Sequence, residues 1–243
     1  MHMADALVSP AVGGVMTVVS TGILGYSLYR IRRENDNGTA SLAGVLGAFV
    51  FAAQMINFTI PATGSSGHLG GALLLTVLLK PFRAFTVMAA ILLLQALLFA
   101  DGGLLAYGCN VFNMAFFACF IAYPLIFKPL TAKGFNKKRL MTASILSALA
   151  GVELGAFGVV AETFLSGVTQ LPFSVFAALM LPIHLAIGLV EGITTGLILA
   201  FLYQYRPELF AENGRDAEPQ ACFGLGLAAL IIGGALSLTA SEL

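Results

Sequence analysis

The chain alternates between long uninterrupted apolar runs and short polar gaps. The runs fall near 8–29, 41–60, 84–100, 110–127, 140–165, 175–204 and 222–238. They are continuous rather than striped at helical spacing. Crossing a bilayer core takes about 20 apolar residues, and each run is read as a helical span. A shorter run, 69–79, lies between the second and third. Eleven helical residues rise only about 16 Å, roughly half the hydrocarbon thickness. The segment before it, Pro61-Ala62-Thr63-Gly64-Ser65-Ser66-Gly67-His68, is small, polar and glycine-rich. Irregular backbone at membrane depth survives only where protein or a cavity encloses it. A loop dipping into the membrane, or a helix kinked past Pro81, is therefore expected here, and such broken segments mark substrate sites in transporters.

Basic residues set the orientation. The chain's 12 Lys and Arg follow the first run, the short run, the 110–127 run and the 175–204 run. With the amino terminus outside and the short run counted as a crossing, all of them face the cytoplasm, as the positive-inside rule requires. The pattern predicts an all-α integral membrane protein, a polytopic helical bundle of about 7–8 transmembrane helices with the amino terminus outside. Its outer loops are then 1–7, 61–67, 101–109 and 166–172, all free of Lys and Arg.

Composition sharpens this picture. Hydrophobic residues make up 58%, charged residues 10%, and the net charge is zero, so no attraction for nucleic acid is expected. No Lys or Arg precedes Arg30, so no cleavable signal peptide is expected and Met1 is read as retained. The three cysteines, Cys109, Cys119 and Cys222, lack metal-type spacing and are read as packing residues. No phosphate-binding P-loop pattern occurs, so ATP-driven work requires a separate subunit.

The three histidines, His2, His68 and His184, all map to the outer side. Such convergence, among so few ionisable groups, points to a metal site. The Met1 amine, the His2 backbone nitrogen and His2 Nδ1 can close a five- and a six-membered chelate ring on one metal. A fourth nitrogen from His68 completes a square plane, which suits Ni(II) or Cu(II). Gln54, Asn57, Asn110 and Asn113 are expected to pack near the histidines and hydrogen-bond to them. Glu191 follows His184 by seven residues on one helix face; charge compensation, a proton relay and an interhelical hydrogen bond all remain open for it. Glu153 and Glu162 carry no assigned role.

Four blocks then resemble a known family. They are Met1-His2-Met3-Ala4-Asp5 with Ser9-Pro10; Gln54 to Pro61 with Gly67-His68-Leu69-Gly70-Gly71; Ala100-Asp101-Gly102-Gly103-Leu104 with Asn110 to Ala115; and His184 to Gly192. The chain resembles the CbiM/NikM family, the substrate-specific (S) components of energy-coupling-factor transporters for cobalt and nickel. The resemblance implies that Met1, His2 and His68 bind transported Ni2+ or Co2+, with no permanent cofactor. It implies a CbiQ/NikQ-like transmembrane coupling subunit, a CbiO/NikO-like ATPase and a small accessory membrane subunit as partners. It also implies a multi-pass place in a bacterial or archaeal inner membrane. The S-component domain then covers 1–206, with a cytoplasmic linker at 207–221 and an additional transmembrane helix in 222–243.

Three competing readings stay on the table, one of them an S component for a different substrate such as a vitamin, against which the His2/His68 pair argues. A stand-alone secondary metal transporter would use Glu191 and His184 as a proton relay. An intramembrane metalloenzyme has no supporting motif.

Overall fold

The structure, a computed structural model, describes residues 1–34, 39–61, 63–169 and 171–210. Seven helices order the described chain: α1 (Pro10–Arg33), α2 (Thr39–Gln54), α3 (Ala72–Leu79), α4 (Pro81–Phe99), α5 (Tyr107–Thr131), α6 (Lys137–Ser166) and α7 (Phe173–Tyr205). Three short strands accompany them: β1 (His2–Met3), β2 (Phe58–Ile60) and β3 (Ser65–Gly67). Five of the helices, α1, α4, α5, α6 and α7, are long and apolar enough to span a membrane. Their outward faces carry large apolar side chains such as Val18, Leu98 and Phe201, a surface stable only against lipid. The protein is a multi-pass integral membrane protein of all-α class.

Helix ends follow local chemistry. Pro10 sits at the first turn of α1, and the Ser9 hydroxyl accepts from Val12 N at 3.4 Å. Asn136 caps α6 by accepting from Arg139 N at 2.9 Å, and Gly167 ends that helix in left-handed conformation. These are the residue types that satisfy orphaned terminal amides and carbonyls.

The expected second span, 41–60, stops at Gln54. Residues 58–60 instead form an edge of a three-stranded sheet ordered β1-β3-β2. Strand β3, itself paired to the amino-terminal strand on its other edge, supplies the backbone partner that turns this apolar stretch from helix to strand. The short run is helical only over Ala72–Leu79, eight residues buried on every side. Its rise of about 12 Å is too short to cross alone. It meets α4 directly at Lys80, whose φ of 68° breaks the helix before Pro81. Of the devices expected of this region, the break at Pro81 is present, and the loop before the helix pairs with the amino-terminal strand. The expected linker beyond Phe210 and the helix at 222–238, with Cys222, lie outside the described residues.

α3 forms the centre of the bundle, with Phe85, Phe112, Phe116 and Phe120 among the fully buried side chains around it. The middle of α5, Phe112–Phe127, is wound as a wider π-helix. Close helix approach depends on glycine. A Cβ at Gly155 would lie 2.3 Å from the Asn113 carbonyl oxygen, and one at Gly158 would lie 2.1 Å from Asn113 Oδ1. The glycines of α6 therefore let α5 deliver Asn113 to the amino-terminal region, consistent with small residues at membrane helix contacts. Gly44, by contrast, faces open space. Cys109 and Cys119 are buried free thiols.

Candidate metal centre

The first three residues are inside the protein. Met1, His2 and Met3 are 5%, 3% and 0% exposed. Side chains alternate across a strand, so the Met1 and Met3 thioethers anchor in the core while the His2 ring points toward the inserted loop. The strand pairs antiparallel with β3, His2 opposite Ser66 and Met3 opposite Ser65. The Met1 amine donates to the Ser66 carbonyl at 2.5 Å, and Ser65 Oγ donates to the His2 carbonyl at 2.8 Å.

Asn110 locks the other edge. Its Oδ1 accepts from Met3 N at 2.7 Å, and its Nδ2 donates to the Met3 carbonyl at 3.1 Å. The Met3 carbonyl also accepts from Gly103 N at 2.9 Å, so Asn110→Ala leaves only the buried Met3 N unsatisfied, at about 1–3 kcal/mol. The expected result is an amino terminus opened to aminopeptidase, read as removal of Met1 by mass spectrometry, in a protein that still folds. Continued protection of Met1 in that variant would contradict this role.

The two histidines face each other. His2 Nδ1 lies 3.0 Å from His68 Nε2, with ring centroids 4.6 Å apart. His68 Nδ1 donates to the Leu69 carbonyl at 2.8 Å. A carbonyl only accepts, so the His68 proton sits on Nδ1 and the Nε2 lone pair is aimed at His2. His2 Nδ1 is also 3.1 Å from Asp101 Oδ1. Asn57 Nδ2 donates to Asp101 Oδ2 at 2.8 Å and orients that carboxylate. Asp101 reaches this place because α4 ends in a left-handed turn at Ala100, with Asp101 N donating to the Gln95 carbonyl at 3.2 Å.

The electrostatics favour neutral nitrogen donors. Burial pushes the Met1 amine down from 8.0 to about 5, against the opposing pull of Asp101 and Glu191. At neutral pH it therefore carries a lone pair rather than a proton. Burial likewise lowers the His2 ring, partly offset by Asp101. Burial, reinforced by the nearby amine and His2, holds His68 well below its ordinary value. Burial alone would raise Asp101, but its contacts with His2 outweigh that and hold its carboxyl below the usual range.

The remaining predicted residues divide. Gln54 Nε2 donates to the Gly70 carbonyl at 2.5 Å. Asn113 Nδ2 donates to Glu162 Oε2 at 2.6 Å, beneath Met3. None of Gln54, Asn57, Asn110 and Asn113 hydrogen-bonds to an imidazole. They hold the backbone and carboxylates around the rings instead, because amides reach carbonyls and amides more readily than a ring already paired. His184 is fully buried in α7, its Nδ1 donating to the Met180 carbonyl at 2.8 Å and its Nε2 without a partner. Glu191 accepts from Gly70 N and Gly71 N. No hydrogen bond joins Glu191 to His184, although they share a helix face. Among the described residues, no group of three His, Cys, Asp or Glu side chains is placed to hold a metal ion. The Met1 nitrogen and the His2 amide are adjacent to the two imidazoles.

Two contributors went unassigned at the level of sequence. Asp101 stood only within a resemblance block. Gln95 was not singled out, although a lone amide inside an apolar span is a signal. Its Nε2 donates to Gln54 Oε1 at 2.9 Å, while its Oε1 and His2 Nε2 are both buried without a partner.

The chain is similar to known metal-transport proteins. Residues 2–209 match the model of the family CbiM, described as the cobalt uptake substrate-specific transmembrane region. A provisionally named fused nickel transport protein, NikMN, of Archaeoglobus fulgidus is 33% identical over 213 residues, covering 88% of this chain and 69% of that one. The cobalt transport protein CbiM of Clostridium tetani is 27% identical, covering 84% and 85%. A crystal structure of a transition metal transporter aligns with a TM-score of 0.77 at 29% identity, covering 89% of this chain and 100% of that one.

Proposed function

The chain belongs to the CbiM family, the substrate-specific transmembrane region of cobalt uptake, and on that premise we propose that it captures Ni2+ or Co2+ at an outward-facing site of four nitrogens. The donors are the Met1 amine, the His2 backbone nitrogen, His2 Nδ1 and His68 Nε2. The capturing subunit serves an ATP-driven energy-coupling-factor importer. A CbiQ/NikQ-like membrane subunit, a separate CbiO/NikO-like ATPase and a small accessory membrane subunit complete it. The amino terminus lies on the outer side.

One observation carries the reading: the 3.0 Å approach of His2 Nδ1 and His68 Nε2 beside the buried amino terminus. Two nitrogens bound at about 2.0–2.1 Å and at a right angle lie about 2.9 Å apart, whereas a tetrahedral angle separates them by about 3.3 Å. The observed spacing fits donors at a right angle, as at neighbouring corners of a square, better than donors at a tetrahedral angle. Deprotonating the His2 amide leaves the complex of a divalent ion with one positive charge. Asp101, beside His2 Nδ1, offsets it. The proton displaced from Nδ1 has a place on His2 Nε2, near the unpartnered Gln95 Oε1.

Titration of the purified protein with Ni2+ and Co2+ tests the site. One equivalent of Ni2+ is expected to give the visible absorption of a square-planar, diamagnetic ion. His68→Ala is expected to lose that band and to bind about 100-fold more weakly, on the scale of about 1.4 kcal/mol per tenfold. A pale six-coordinate spectrum, unchanged in His68→Ala, would rule the site out. Reconstitution tests the partners: uptake is expected only with coupling subunit, ATPase and ATP together. Sustained uptake by the chain alone would favour the secondary-transporter reading.

A further inference from the structure

We infer that Glu191 is the positioning residue of the ligand His68, clamping the loop that carries it to helix α7. The inference rests on the reading of Met1, His2 and His68 as the metal site. It deepens that reading by naming what holds the fourth ligand in place.

The geometry is specific. Glu191 Oε2 accepts from Gly70 N at 2.7 Å, and Oε1 accepts from Gly71 N at 3.0 Å. Two consecutive backbone amides thus converge on the two oxygens of one carboxylate. Such charge-assisted bonds are short and about twice as strong as neutral ones. Gly70 is held from its other side as well, its carbonyl accepting from Gln54 Nε2 of α2 at 2.5 Å. This peptide is therefore fixed between α2 and α7, two residues from His68. The intervening Leu69 supplies the carbonyl that binds His68 Nδ1. The clamp consequently sets both where the ring stands and which nitrogen offers its lone pair.

The sequence around the clamp admits little else. A Cβ at Gly70 would sit 3.0 Å from Glu191 Oε2. Gly71 adopts φ 74°, and a Cβ there would meet Val50 Cγ1 at 2.6 Å. Glu191 itself is 4% exposed. A carboxylate buried within a membrane helix is costly and is retained where it has work to do. An ordinary interhelical hydrogen bond would join side chains of two helices. This one ends instead on the backbone of the ligand loop.

Glu191→Gln tests the clamp. Glutamine keeps the shape but offers one acceptor and an NH2 group that opposes a backbone N–H. Metal affinity is expected to fall about 10–100-fold, the usual scale for losing a group that orients a metal ligand, mostly through faster release. Cu2+ is the spectroscopic probe. The wild-type EPR spectrum is expected to show four nitrogen ligands and the variant three, with His68 replaced by water. Hydrogen exchange at Gly70 and Gly71 is expected to accelerate in the metal-free variant. Glu191→Asp, one methylene short, is expected to behave alike and carries the comparison if the Gln variant does not fold. Glu153→Gln on α6 is expected to leave the spectrum, affinity and exchange unchanged. Wild-type protein without four-nitrogen coordination would overturn the ligand assignment and this inference together. Wild-type and Glu191 variants that share a four-nitrogen spectrum and one affinity would overturn this inference alone.

Discussion

One residue added ahead of Met1 is expected to weaken Ni2+ capture by at least about 10^3-fold, about 4 kcal/mol. Two physical effects act together. The added peptide bond converts the Met1 amine into an amide, so its nitrogen is no longer a basic donor and can close the five-membered ring only by losing a second amide proton. It also needs space that is already filled. The Met1 nitrogen is buried with the Ser66 carbonyl 2.5 Å away, and the Met1 thioether packs where a Cβ on Gly155 would lie 2.9 Å from Sδ. An extended chain must pull β1 off β3 or turn the new residue into the His2–His68 contact. Both imidazoles survive in this variant, so residual binding measures the two ring nitrogens together with the displaced terminus. Competition against a chelator of known affinity gives the number. Wild-type affinity together with a wild-type absorption spectrum in the extended protein would refute the terminal chelate even with every side chain intact. His2→Ala is expected to match the extension in severity, since it removes the six-membered ring and the Nδ1 donor together.

The largest effect on stability is expected from Gly108→Ala. Gly108 is where α5 crosses α1 backbone to backbone. A Cβ there would lie 2.3 Å from Thr17 N, 2.4 Å from Thr17 Cα and 2.5 Å from the Met16 carbonyl carbon. None of these atoms belongs to a flexible side chain, so relief requires the helices to separate. Separation also breaks the bond from Ser20 Oγ to the Gly108 carbonyl, 2.7 Å long. Overpacking a well-filled interior costs about 1–3 kcal/mol where side chains can shift. A backbone clash belongs at or above the top of that range, about 3 kcal/mol. Asn110 lies two residues further along α5, so the displacement also loosens the amino-terminal strand. Thermal unfolding in detergent reads the loss. Gly14→Ala and Gly22→Ala, whose added Cβ atoms meet nothing within 4 Å, are the matched controls and should melt at or slightly above wild type, since Ala favours a helix interior over Gly. A Gly108→Ala protein melting with them would show that the helices yield more easily than their spacing implies.

The sequence by itself determined the medium, the class and the metal-binding nitrogens to look for. Membrane spans are legible because each must be apolar over nearly its whole length, whatever it packs against. The long helices accordingly lie within a few residues of the apolar runs, as Lys137–Ser166 does on 140–165. His2 and His68 stood out in the sequence because three histidines map to one side among few ionisable groups, and because the four sequence blocks resemble one family. Tertiary structure decided the rest. Phe58–Ile60 is as apolar as the helix before it. Only pairing with β3, itself paired to the amino-terminal strand, makes it a strand, and that partner is 65 residues away from Met1. Asp101 and Gln95 acquire their places beside His2 because α4 ends in a left-handed turn at Ala100. Glu191 meets Gly70 and Gly71 across 121 and 120 residues of chain. Hydrophobic patterning is a property of neighbours in sequence. A carboxylate's choice between another helix and a ligand loop is a property of neighbours in space, and only the packed bundle sets those.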